Sequence, residues 1–144
     1  MHGMTSIVKT VTRLLVGVIF IYGVYIILHG HISPGGGFAG GAIIAGALVL
    51  LVLAFGGNTM KLKHEEEESS LLESFAILLF LLMGLAVIFL GTKVFFSNYL
   101  PKGELGELIS AGVIPLYNIA VGIEVAAALF TIFLALIIYK EESK

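Results

Sequence analysis

The chain contains no cysteine, and only 12% of its 144 residues are charged. Without cysteine there are no disulfides, no thiol chemistry and no thiolate metal sites. No basic stripe interleaved with aromatics exists to hold phosphates, and a net charge of −2 gives no reason to expect a nucleic-acid partner. No nucleophile stands with a base and an orienting group, no nucleotide loop is present, and no complete set of metal ligands occurs. These absences point away from an enzyme and imply neither a metal nor a cofactor. Internal repeats are also missing, although a self-sufficient carrier usually builds its site between two related halves. That points to a subunit of something larger.

What is present is apolar sequence. Hydrophobic residues make up 58% of the chain, and mean hydropathy is +1.07. So few charges could not cover so much apolar surface in water. Four segments reach the length of about 20 residues that a membrane crossing needs. They cover approximately 7–28, 38–55, 71–96 and 113–139. Their apolar runs are continuous rather than alternating, which favours helices over a barrel. The expected fold is an all-α membrane protein with four transmembrane helices in one domain. The first run follows Lys9 and Arg13 without a small-residue cleavage site after it, so it reads as a retained helix.

Lysine and arginine counts predict the orientation. Lys9, Arg13, Lys61, Lys63, Lys140 and Lys144 fall on the side of the termini, whereas only Lys93 and Lys102 fall on the other. By the positive-inside rule both termini are cytoplasmic. Residues 56–70 then form an acidic cytoplasmic loop, and 97–112 form an external one. Glu65, Glu66, Glu67 and Glu68 read as a docking surface, a cation-attracting patch or, most simply, a solvated linker. Ser70 followed by Glu73 fits a capping box that opens the third helix.

The segment from His29 to Gly41, HGHISPGGGFAGG, joins the first two spans. Pro34 with Gly35, Gly36 and Gly37 cannot continue a helix, so a tight turn leads into the second span. Gly40 and Gly41 belong to the same turn-and-entry element. Its freed backbone groups need partners in protein or water. Glycine amides here could face an anion, but the spacing is neither the P-loop nor the dinucleotide pattern. His29 and His31 are too few to hold a metal. His31 is read either as a proton relay, because imidazole titrates near neutral pH, or as part of a turn that packs two spans.

Small residues then mark contact faces. Gly41 with Ala45 and Ala42 with Gly46 stand four apart on the second span, and Gly84 and Gly91 stand one heptad apart on the third. Such faces let helices approach closely in a membrane. Glu124 is the sharpest single residue, a carboxylate between Ile123 and Val125 inside the fourth span. Acids in such places face a polar cavity or a partner, and they mark ion or proton pathways. The alternative is a glutamate that locks helix contacts. Tyr117 lies two turns before it on a similar face, next to Asn118, and either could extend a hydrated path or anchor an interface. Lys93 near the boundary reads as a snorkelling lysine.

The His29–Gly41 motif, leading straight into a small-residue helix, resembles the signature of the MrpB (MnhB) subunit of Mrp-type multisubunit cation/proton antiporters. PLYNIAVGIEV over 115–125 is similar to that family's last span. The resemblance covers almost the whole chain. It implies a subunit of a hetero-oligomeric antiporter in the bacterial cytoplasmic membrane, exporting Na+ in exchange for H+, with other subunits and the lipid bilayer as partners. It carries importance to His31, Pro34, Gly35, Gly36, Gly37 and Phe38, which match the motif. The membrane arms of certain hydrogenases and of respiratory complex I share related subunits.

Overall fold

The computed structural model describes residues 3–57, 59–90, 94–104, 106–107 and 110–143. Four helices account for most of it: α1 (Ser6–Leu28), α2 (Gly37–Phe55), α3 (Thr59–Phe89) and α4 (Ile114–Glu142). All four are long and apolar enough to cross a membrane. The chain is thus an all-α, multi-pass membrane protein.

The helices stand in the order α1, α2, α4, α3. α2 lies between α1 and α4, α3 packs on α4, and α1 reaches α4 only slightly. Among the described residues no backbone of α1 or α2 approaches that of α3 within 8 Å between Cα atoms. The result is an open, curved layer instead of a closed four-helix bundle. Large apolar side chains therefore remain exposed on every helix, with Phe89 at 89% and Ile7 at 77% as the extremes. Lipid or other chains must cover them.

Glycine sets the separations within the layer. A Cβ at Gly23 would lie 3.0 Å from the Gly40 carbonyl, and one at Gly41 would lie 2.6 Å from the Gly122 carbonyl. α2 thus meets both neighbours nearly backbone to backbone, which maximises dispersion contacts where no hydrophobic force separates helix from lipid. Ala45, on the Gly41 face, is buried, while Gly46 is exposed and has no neighbour within 4 Å of an added Cβ. Of the two small-residue faces expected on this helix, Gly41/Ala45 packs inside the chain. Gly46, expected to pack, looks outward because α1 and α4 already occupy the other sides of α2. Gly84 packs under the rings of Phe95 and Phe96, and Gly91 and Lys93 lie outside the described residues.

The third helix differs most from expectation. Residues 59–70, expected as an acidic loop, form its first turns, and it ends at Phe89 instead of residue 96. The stretch has no glycine or proline to stop a helix, and Lys61–Glu65 (3.5 Å) and His64–Glu68 (3.2 Å) pair at helical spacing. Ser70 and Glu73 make no capping box, since both sit inside the helix, where the Ser70 carbonyl accepts the Ser74 hydroxyl. Beyond the helix, Phe96 adopts φ 59°, so the chain has turned away. Lys63 bonds Glu142 at 2.6 Å and ties the start of α3 to the end of α4.

The pairings fix relative height. α2 and α4 run in the same direction: Gly37 meets Asn118 to Gly122, Gly41 meets Gly122 to Ala126, and Val52 packs with Leu134 and Ile138. α3 runs oppositely: Leu62 joins that last cluster, the Ser69 hydroxyl donates to the Ala127 carbonyl at 3.0 Å, and Phe80 meets Tyr117. Glu65 to Ser69 consequently stand level with the middle of α2, and α3 from Gly84 onward rises past the first residue of α4. The acidic segment shares a depth with apolar spans.

The glycine contacts give a test. Gly41→Ala is expected to destabilise the chain by about 1–3 kcal/mol through overpacking. Gly46→Ala should be neutral or slightly stabilising, because its surroundings are open. Thermal midpoints in detergent, read by temperature-ramped size-exclusion chromatography, separate the two; equal losses would contradict the packing described.

Candidate functional site

The turn between α1 and α2 is built from its backbone outward. The His29 N–H and Nδ1 both engage the Tyr25 carbonyl, and its ring lies tilted against that of Tyr25 with centroids 4.1 Å apart. The His29 carbonyl in turn accepts the N–H of Ile32 and Ser33 and the Ser33 hydroxyl. His29 is therefore an anchor that ends α1. Gly36 reverses the chain with φ 114°, ψ −174°, a conformation open essentially to glycine alone, and its carbonyl accepts the Gly40 N–H at 3.1 Å as α2 begins.

The turn seats on α4. A methyl group at Gly30 would overlap the Gly36 Cα and lie 3.0 Å from Asn118 Nδ2, and one at Gly37 would press on Val121 and Gly122. Asn118 is thus the contact of the α1–α2 turn on the fourth helix. Pro34 and Phe38 point away from this junction; Phe38 is 69% exposed. Pro115 fits at the start of α4, where its missing N–H costs nothing. Asn98 joins the neighbouring loop to that start, its Oδ1 accepting the Val113 N–H at 3.1 Å.

Glu124 is half-buried in a small recess of about 180 Å³ with Ala76, Ile77 and Phe80 of α3 and Ala120 and Val121 of its own helix. Among the described residues its carboxylate has no hydrogen-bond or ion-pair partner. Tyr117 packs edge-on against Phe80 one turn of α3 further along. Buried polar atoms without a partner are both ring nitrogens of His31, Tyr117 Oη, Asn118 Nδ2 and Thr131 Oγ1. Tyr117, Glu124 and Thr131 recur every seven residues, so they line one face of α4 at steps of about 10 Å. Tyr117 and Glu124 were legible as a pair. Thr131 was missed, though the heptad interval is in the sequence; a lone threonine in a helix ordinarily bonds its own backbone. No hydrogen bond joins His31 to this face. No group of three or more metal-ligating side chains occurs among the described residues.

Backbone-close helices, a glycine-proline turn clamped on α4 and broad apolar outer surfaces define a helical, multi-pass membrane protein. Residues 7–131 match the family described as a domain related to the MnhB subunit of Na+/H+ antiporter, and the chain belongs to that family. It is 39% identical over 134 residues to an uncharacterized protein of Methanocaldococcus jannaschii, covering 88% of this chain and 50% of that one. It is 30% identical over 132 residues to a Staphylococcus haemolyticus protein assigned as antiporter subunit mnhB2, covering 90% and 92% respectively. Among solved structures, a chain of the membrane-bound sulfane sulfur reductase, an archaeal respiratory membrane complex, superposes with TM-score 0.62 at 33% identity. That match covers 89% of this chain and 56% of the other. The chain thus spans about half the length of these two archaeal relatives and nearly all of the staphylococcal one.

The turn yields a prediction. Gly36→Ala should cost about 1–3 kcal/mol, because alanine does not tolerate φ 114°. Ser33→Ala should cost about 1 kcal/mol or less. Thermal midpoints of the two purified variants check this ordering.

Proposed function

We propose that the chain is a small subunit of a multisubunit cation/proton antiporter in a prokaryotic cytoplasmic membrane, where Na+ export is driven by H+ uptake. Membership of the MnhB family carries this reading. The uncovered apolar faces are compatible with it, since they leave room for neighbouring chains beside lipid. The chain's part is ion movement rather than catalysis, and it requires no cofactor.

Within that assembly the Tyr117–Glu124–Thr131 face of α4 borders a hydrated ion route completed by another subunit. Unpartnered polar atoms in an apolar setting are costly, and water or groups of a neighbouring chain relieve the cost. Glu124 is the member able to bind and release H+ or attract Na+. His31, whose ring nitrogens also lack partners in the chain, is the second candidate for proton exchange. Pro34 and Phe38 contribute from the turn, Phe38 as a surface for a neighbour.

Glu124→Gln separates transport from scaffolding. The side chain keeps its size and loses its charge. We expect intact co-purification of the complex and antiport reduced by about tenfold or more in everted vesicles, the scale of losing a positioned proton-transfer group. Loss of the complex would make Glu124 a packing residue, and full antiport would remove it from the route.

Both termini face the cytoplasm in this proposal, because the lysines and arginines gather on their side. A single cysteine at Ser143, in a chain with no other cysteine, should react with an impermeant maleimide only after the cells are opened. Labelling of intact cells would reverse the orientation.

A second reading has a specific observation behind it. The likeness to a sulfane sulfur reductase chain favours a redox-driven membrane complex that uses the same subunit type. Identification of the co-purifying chains decides: iron–sulfur or reductase subunits favour this reading, and only transporter-like chains favour the antiporter.

A further inference from the structure

Glu73 is a second acid inside the apolar spans, and the route described so far does not use it. It lies within α3, half-buried, and among the described residues no hydrogen bond or ion pair engages its carboxylate. The pairing of α3 with α4 sets its height. Phe80 packs on Tyr117 in helices that run oppositely. One heptad back along α3 and one heptad on along α4 bring Glu73 level with Glu124. The Ser69–Ala127 bond gives the same register to within one residue. Glu73 also shares a stripe of α3 with Ile77 and Phe80, which both line the Glu124 recess. No cation stands beside this pair of acids. α3 carries no lysine, arginine or histidine from Glu65 to Phe89, and α4 carries none before Lys140. α4 is the only helix whose backbone packs on α3 among the described residues. From the outer loop, Lys102 reaches the level of Tyr117, two turns away from Glu124. Lys9 and Arg13 lie over the Phe55 ring on the far side of the layer. Two uncompensated negative charges at one depth in hydrocarbon cost far more than one.

We propose that Glu73 is a second proton-carrying carboxylate of the route. Glu73 and Glu124 hold one proton between them, and it passes from the carboxyl group of one to the carboxylate of the other, directly or through one water. The transfer breaks one O–H bond and forms another, and the pair keeps a single negative charge throughout. The inference rests on the reading of Glu124 as part of an ion route. Glu73 gives that route a continuation towards the start of α3. Glu66, one heptad before Glu73, is level with Thr131 and lines an open recess with Glu67 and Ser70. In the same direction α4 offers only the Thr131 hydroxyl, which carries no exchangeable charge. Glu65 and Glu68 pair with Lys61 and His64 on another side of α3 and take no part.

The test uses the intact complex. E73Q, E124Q and E73Q/E124Q are compared with E67Q, whose side chain is exposed, for co-purification and for antiport in everted vesicles. E73Q should assemble and lower antiport by about tenfold or more. The double variant should fall no further than the lower single variant, as expected of groups that act as a unit, and E67Q should match the wild type. Full antiport in E73Q beside loss in E124Q overturns the proposal and leaves the route reading standing, as do losses that multiply in the double variant. Full antiport in both single variants removes the route reading itself. Labelling of the wild-type chain in native membranes decides if E73Q does not assemble. Dicyclohexylcarbodiimide, an apolar reagent that adds to protonated carboxyl groups, should modify Glu73 on some chains and Glu124 on others, with Glu67 untouched and no chain carrying two adducts. An unmodified Glu73, or chains with both acids modified, overturns the proposal.

Discussion

Everything in this molecule depends on how closely α2 lies against its two neighbours. In a bilayer the lipid tails are as apolar as leucine, so helices associate through dispersion, hydrogen bonds and tight fit. Gly23 and Gly40 let α1 reach α2, and Gly41 and Gly122 let α4 reach it from the other side. That contact brings the α1–α2 turn onto Asn118, fixes the height of α4, and through Leu62 and Ser69 fixes the height of α3 as well. Each polar feature of interest inherits its position from these few glycines.

Much of the architecture was legible beforehand, for identifiable reasons. Four long apolar runs can be little else than spanning helices, because hydrocarbon leaves backbone groups no partner but their own helix. Pro34 and the glycines after it could only be a turn. The start of the third helix was misread because four consecutive glutamates suggest solvent, whereas their alternation with Lys61 and His64 at helical spacing supports continuous helix. Gly46 was misassigned because a small residue shows that close approach is possible without showing which neighbour takes it. The order α1, α2, α4, α3 was illegible in principle, because no local pattern encodes which helices pack side by side.

The polar groups of α4 and α3 are placed differently. Tyr117, Glu124 and Thr131 share one face of α4, whereas Glu65 and Glu68 pair along α3 with Lys61 and His64. His31 stands apart from both, in the turn that clamps the helices together.

The stagger of α3 has a biological corollary. No single immersion depth suits both the α1–α2 hairpin and the third helix: a bilayer placed around one strands acids or greasy residues of the other. The bilayer or the protein around this chain must therefore be uneven in height, thinner or more polar beside the start of α3 than beside α2.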